Sequence, residues 1–381
     1  MADFFGSRGE KKVEYIELIY DLIFVYFLGR SNGLLHQIDG GFFTLNTYVT
    51  YLASTLAILQ IWNLSTLFIN RYGDNKAADY IFIFINMYLL YYMADGTRAD
   101  WYSYYIRYNV AWGLILLNIA AQYFRIMKTN RETTPWEGMH LAHHMKLLLI
   151  QAGIVFLSIP VYIFTGFPVS WITVVVGFCI GILNVRTDML VPVNMEHLTE
   201  RVMLFVVFTF GEMIVGLAVY FTNSFSINTL YFSLLAFMIV VGLFMSYGHI
   251  YDHVVDRENS RMESFYLLLH IGLIVALNNI TAALEFMRMP EVSEFAKNAF
   301  IVVSFLMYYF FLFFIGHYAR PGCCPDSKFL LKLAGISAVF VVLMAMTYKN
   351  SWISIAVSVL YVASMYAMMH KEPLNKYRLS A

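Results

Sequence analysis

Long apolar runs alternate along the chain with short stretches rich in charge, Pro and Gly. A helix needs about 20 mostly apolar residues to cross the hydrocarbon core of a bilayer. Twelve runs have that size, at roughly 14–34, 46–69, 78–95, 101–126, 143–165, 168–186, 199–221, 228–250, 262–287, 295–318, 330–348 and 352–369. The connectors between them are too short to fold into a separate soluble domain, so any chemistry sits within the helices. The pattern predicts an all-α, polytopic transmembrane helix bundle of about twelve spans.

Composition supports that reading and narrows the function. Of 381 residues, 60% are apolar and only 13% charged, and Lys+Arg 25 equals Asp+Glu 25. With a mean hydropathy of +0.64, the chain holds more apolar surface than one or two soluble domains can bury. The absence of a basic excess excludes a nucleic-acid partner. Three cysteines, Cys179 within a span and the adjacent Cys323 and Cys324, define no disulfide framework. The partners expected are membrane lipids and a small ion or solute, and oligomers are compatible with the pattern.

The basic residues set an orientation, because short cytoplasmic loops carry an excess of Lys and Arg. With the N-terminus inside, nineteen of the 25 fall on the cytoplasmic side; Arg98, Arg288, Lys297 and Lys349 lie outside, and Arg30 and Arg107 lie within spans. The expectation is a multi-pass protein of the cell membrane with both termini cytoplasmic. Glu17 and Asp21 break the uniform apolar core that a cleaved signal peptide requires, so the first span is expected to be retained. Division near residue 195 gives two six-span halves, 1–195 and 196–381, of the same orientation. Each begins with an acid-bearing helix, a layout known among transporters.

Charged groups inside spans are the informative positions, because each costs about 2.5 to 3.5 kcal/mol at a helix centre on insertion scales and needs a partner, water or a proton. Glu14, Glu17 and Asp21 follow i, i+3, i+7 spacing and share one helical stripe. Glu17 and Asp21 either hold a proton or cation or pair with an arginine such as Arg201. The seventh span opens with His197, Glu200 and Arg201 and carries Gly211 and Glu212 deeper. Arg201 and Glu212 are eleven residues, about 16 Å, apart along the axis, too far to pair. Arg107 or Arg30 is the expected partner of Glu212, and Gly211 and Gly216 permit close helix approach. In the ninth span Asn278 and Glu285 share a stripe, with Asn279 beside it, lining a pathway or joining helices by hydrogen bonds.

His249, Asp252 and His253, and more weakly His140, His143 and His144, have spacings compatible with metal ligation. Their interfacial positions favour solvated imidazoles, so neither a metal nor a cofactor is expected. No Gly-x-Ser-x-Gly, P-loop or His-Glu-x-x-His motif occurs, and no catalytic residue is assigned.

Two segments carry a family resemblance. Val13-Glu14-Tyr-Ile-Glu17-Leu18-Ile-Tyr-Asp21-Leu22-Ile-Phe24-Val25 resembles the opening pattern of the bacterial low-temperature-requirement A (LtrA) family. His197-Leu198-Thr-Glu200-Arg201 through Phe210-Gly211-Glu212 is similar to its later Glu-Arg and Gly-Glu elements. Arg107 matches an arginine of the same pattern, and Met213 departs from it where the family places a small residue. The resemblance implies a membrane protein associated with growth in the cold. Together with the acids it leads to a secondary transporter or proton- or cation-translocating protein using Glu17, Asp21 and Glu212. The alternatives are a membrane-embedded lipid-modifying enzyme with Glu212 and His197 as acid and base, and a non-catalytic membrane factor.

Overall fold

The computed structural model describes residues 11–95, 101–129, 134–183, 188, 190–221, 226–257, 263–321, 323, 325 and 327–371. Among them, regular structure is helical: α1 Tyr15–Leu35, α2 Leu45–Tyr72, α3 Ala77–Asp95, α4 Trp101–Thr129, α5 Pro135–Thr165, α6 Trp171–Leu183, α7 Met195–Gly216, α8 Ile227–His253, α9 Glu263–Phe286, α10 Glu294–Ile315, α11 Ser327–Thr347 and α12 Ser351–Lys371. Short 3-10 turns follow α7 and α10. The protein is a helical membrane bundle, and each expected span coincides with one helix.

Ten of these helices are long and apolar enough to cross a membrane. The other two depart for different reasons. Only 13 residues of α6 are described as helix. In α7, every 18-residue stretch contains Glu200, Arg201 and Glu212, a charge load that apolar spans do not carry.

Helix ends follow local chemistry. α5 starts at Pro135, well before the apolar run at 143, because Thr134 and Glu137 form a capping box. The Thr134 hydroxyl accepts from the Glu137 N–H (3.2 Å), and the Glu137 carboxylate accepts from the Thr134 N–H (3.1 Å). This early start places His140 and His144 on helix. α5 ends at Gly166, whose φ of 73° closes the last turn with an N–H bond to the Tyr162 carbonyl, the left-handed ending that glycine favours. After α1, Gly40 and Gly41 take a left-handed turn with φ of 61° and 93°, a conformation that side-chain-bearing residues resist. The Gly41 carbonyl accepts from the Ser293 N–H at 2.7 Å.

The chain forms two compact units. The first comprises Met1–Leu34, Tyr48–Phe205 and Ser260–Leu267; the second comprises Leu35–Thr47, Val206–Asn259 and Leu268–Ala381. In the first, the Tyr20 hydroxyl is bonded to Ser65 (3.1 Å) and Asn86 (3.3 Å), and Asn118 extends the chain to Asn86 at 2.8 Å. Such bonds join helices where apolar side chains gain little by leaving lipid. In the second, the Phe340 and Tyr361 rings stack at 4.0 Å, the Tyr361 hydroxyl meets Ser337 at 2.9 Å, and Tyr308 donates to the Leu243 carbonyl at 2.7 Å.

The exterior is apolar. Only 22% of the most apolar stretch of α11 is buried, leaving Leu331, Val339, Val342 and Met346 exposed. In water such a face would drive association; in hydrocarbon it is simply solvated.

Candidate functional sites

In the first unit, the acidic stripe of α1 meets the first turns of α7. Glu17, Asp21, His197 and Arg201 are all fully buried. The Arg201 guanidinium donates from Nη1 to Glu17 Oε2 (2.8 Å), from Nη2 to Asp21 Oδ1 (2.8 Å) and from Nε to Asp21 Oδ2 (3.2 Å). Trp62 Nε1 donates to Asp21 Oδ1 at 3.0 Å, while its ring stacks on Phe205 with centroids 4.4 Å apart. Of the two roles considered for Glu17 and Asp21, the structure shows pairing with Arg201.

The tautomer of His197 follows from its neighbours. The backbone N–H of Asn194 donates to Asn70 Oδ1 at 2.9 Å, so Asn70 turns its amide nitrogen to the Asn194 carbonyl (2.9 Å) and to His197 Nδ1 (3.0 Å). Nδ1 therefore accepts and Nε2 carries the proton. Nε2 donates it to Glu17 Oε1 at 3.1 Å. Every oxygen of the two carboxylates has a donor. Lys11, whose ammonium caps the carbonyls of Ile69, Asn70 and Gly73 at the end of α2, supplies a second positive charge acting on Glu17. Two anions are thus balanced by two cations, closing a network that sets how α1, α2 and α7 meet. Glu200, half-buried on another face of α7, stands outside it.

The second unit holds the deeper acid of α7. Glu212 is half-buried, and the charged group acting on it is another carboxylate, Glu285 of α9. This differs from the expectation of an arginine partner. Arg107 is exposed on α4 in the first unit, its guanidinium 5.8 Å from the Tyr104 ring centroid, and Arg30 is half-buried on α1 of that unit. Glu285 is 16% exposed and lies 2.7 Å from Nε2 of His36, itself 39% exposed, so His36 links the acid pair to the surroundings. The two glycines of α7 differ in role. A Cβ at Gly216 would come within 2.9 Å of Thr281 Cγ2 and 3.1 Å of Glu285 Oε1, whereas one at Gly211 would meet no atom within 4 Å. Gly216, one turn beyond Glu212, is what admits Glu285 to the face of α7. Asn278 and Asn279 are buried on α9.

Several participants escape a reading of the sequence. His36 lies beyond the first apolar run, Asn70 lies just past the end of the second, and Trp62 looks like an ordinary span residue until its partners are known. Asp188 lies outside the twelve helices and is 3.7 Å from Arg71 Nη2.

A family model described as bacterial low temperature requirement A protein (LtrA) matches residues 12–367. No curated protein matches the chain.

Proposed function

The chain belongs to the bacterial low temperature requirement A family, and from that premise we propose that it carries protons or a small cation across the cell membrane through the Glu212 and Glu285 carboxylates. The observation that carries the reading is the like-charge pair itself. A carboxylate in an apolar helix ordinarily finds a cationic partner, whereas the charge acting on Glu212 is that of Glu285, whose Oε1 would lie 3.1 Å from a Cβ at Gly216, one turn further along α7. Two carboxylates sharing a site favour a proton or cation between them. His36, at 2.7 Å from Glu285 and partly exposed, is positioned to pass a proton to or from the pair.

The Arg201 network plays a different part in this proposal. Its carboxylate oxygens are all hydrogen-bonded and its charges balanced, so it leaves no unfilled coordination for a substrate. Glu17, Asp21, His197 and Arg201 act as an anchor that holds α1 against α7, and Glu200, Arg107 and Asn278 shape the environment of the helices without binding the ion. On the distribution of Lys and Arg, both termini face the cytoplasm.

The test is ion flux in proteoliposomes holding a pH-sensitive dye, under imposed proton and potassium gradients. Wild type should exceed empty liposomes, Glu212→Gln should abolish the excess, and Glu212→Asp should keep part of it, all in protein that stays monodisperse. Absence of wild-type flux under every gradient, or Glu212→Gln running at the wild-type rate, overturns the proposal.

A further inference from the structure

Away from the carboxylate pair, the first unit gathers three groups able to ligate a metal. His140 and His144, one turn apart on the early part of α5, direct their Nε2 atoms to the same oxygen, Asp188 Oδ1, at 3.4 and 3.1 Å. All three atoms lie within 4.8 Å of one another. His143, between them in sequence, is not part of the group.

The hydrogen bonding around the imidazoles decides what the centre needs. His144 Nδ1 is 3.1 Å from the His140 carbonyl oxygen, which can only accept, so Nδ1 carries a proton. A neutral His144 then presents the Nε2 lone pair to a carboxylate oxygen 3.1 Å away, which is repulsive unless a metal ion or a second imidazole proton lies between them. His140 Nε2 and Asp188 Oδ1 are both buried without a hydrogen-bond partner, and buried polar atoms in that state are commonly satisfied by a water or an ion.

Distance and charge select the ligand. Metal–ligand bonds of about 2.0 to 2.1 Å in a tetrahedron put neighbouring ligand atoms about 3.3 Å apart, and the two Nε2–Oδ1 separations, 3.1 and 3.4 Å, bracket that value. Asp188 and Glu263 carry two negative charges against the single positive charge of Arg71, which pairs with Glu263 and donates from Nε to the Val191 carbonyl at 2.9 Å. One negative charge among these groups is left over to attract a cation. Two imidazole nitrogens and one carboxylate suit a first-row transition ion, whereas calcium and magnesium require oxygen ligands. The Tyr72 hydroxyl, 2.7 Å from His140 Nδ1, is placed as the outer partner that orients a metal-bound imidazole.

We propose that His140 Nε2, His144 Nε2 and Asp188 Oδ1 bind a divalent transition metal of the zinc type, leaving a fourth position for water or a solute. The metal would tie the start of α5 to the segment carrying Asp188. This is independent of the transport reading.

The experiment uses the full chain in detergent, purified through a tag without histidines and stripped with chelator. Zn2+ binding is followed by calorimetry and by metal content after dialysis, and Co2+ is added as a visible-absorption probe of coordination. Wild type should retain one zinc per chain and give the intense spectrum of four-coordinate Co2+. His144→Ala and Asp188→Asn should each weaken zinc on the order of 100-fold or more, and Tyr72→Phe about 10-fold. No retained zinc in wild type, or undiminished affinity in a folded His144→Ala protein, overturns the proposal. Should the variants fail to fold, wild-type Co2+ decides alone: a weak six-coordinate spectrum means adventitious surface binding and an imidazolium proton in place of the metal.

Discussion

Replacing Arg201 with Met is the sharpest test of the buried network. The substitution keeps much of the side-chain volume and removes three charge-assisted hydrogen bonds, two to Asp21 and one to Glu17. Because all of these groups are fully buried, water cannot replace the lost donors, and breaking one side of such a pair costs about 3 to 5 kcal/mol. Asp21→Asn alone keeps an oxygen for Trp62 or Arg201 and loses the anion; a hydrogen bond to a charged group is worth about 1.5 to 3 kcal/mol. If the two residues act as one unit, the double variant should lose about 2 to 3 kcal/mol less than the sum of the singles, within the range found for residues in contact. The assay is equilibrium unfolding in mixed micelles with an increasing fraction of denaturing detergent, applied to all four proteins of the cycle. Additivity within about 0.5 kcal/mol, the behaviour of independent sites, would refute the network as described, as would an Arg201→Met protein of wild-type stability.

Two further outcomes follow from the same contacts. Gly216→Ala forces a methyl against Thr281 and Glu285 and should cost about 1 to 3 kcal/mol while reducing flux; Gly211→Ala, with open space around it, should leave both unchanged, and equal effects in unfolding and flux assays would contradict the packing at Gly216. Trp62→Phe keeps an aromatic ring against Phe205 and deletes the donor to Asp21, so it should destabilise by about 1.5 to 3 kcal/mol. A loss well below that range in the micelle assay would mean that the indole nitrogen contributes little.

The bilayer, the helices and the acid stripe were legible in the linear chain because they depend on local quantities. About twenty apolar residues make a span whatever surrounds them. The i, i+3, i+7 spacing of Glu14, Glu17 and Asp21 puts them on one face by helical geometry alone. The capping box of Thr134 and Glu137, which extends α5 far enough to carry His140 and His144, is local as well, but the apolar run that begins at 143 does not include it. Which faces meet is another matter. Arg201 is 180 residues from Asp21, and no spacing rule relates them. The same holds for Glu212 and Glu285, where close packing at Gly216 brings a second acid to a position that charge reasoning reserved for an arginine. His140 and His144 show their shared face in the sequence, while the third group, Asp188, comes from a segment with no apolar pattern to place it. Local hydrogen bonding and hydrophobic length therefore determined the helices. Tertiary packing alone decided their charge partners, because a buried charge takes the complement that the neighbouring backbone delivers within about 3 Å.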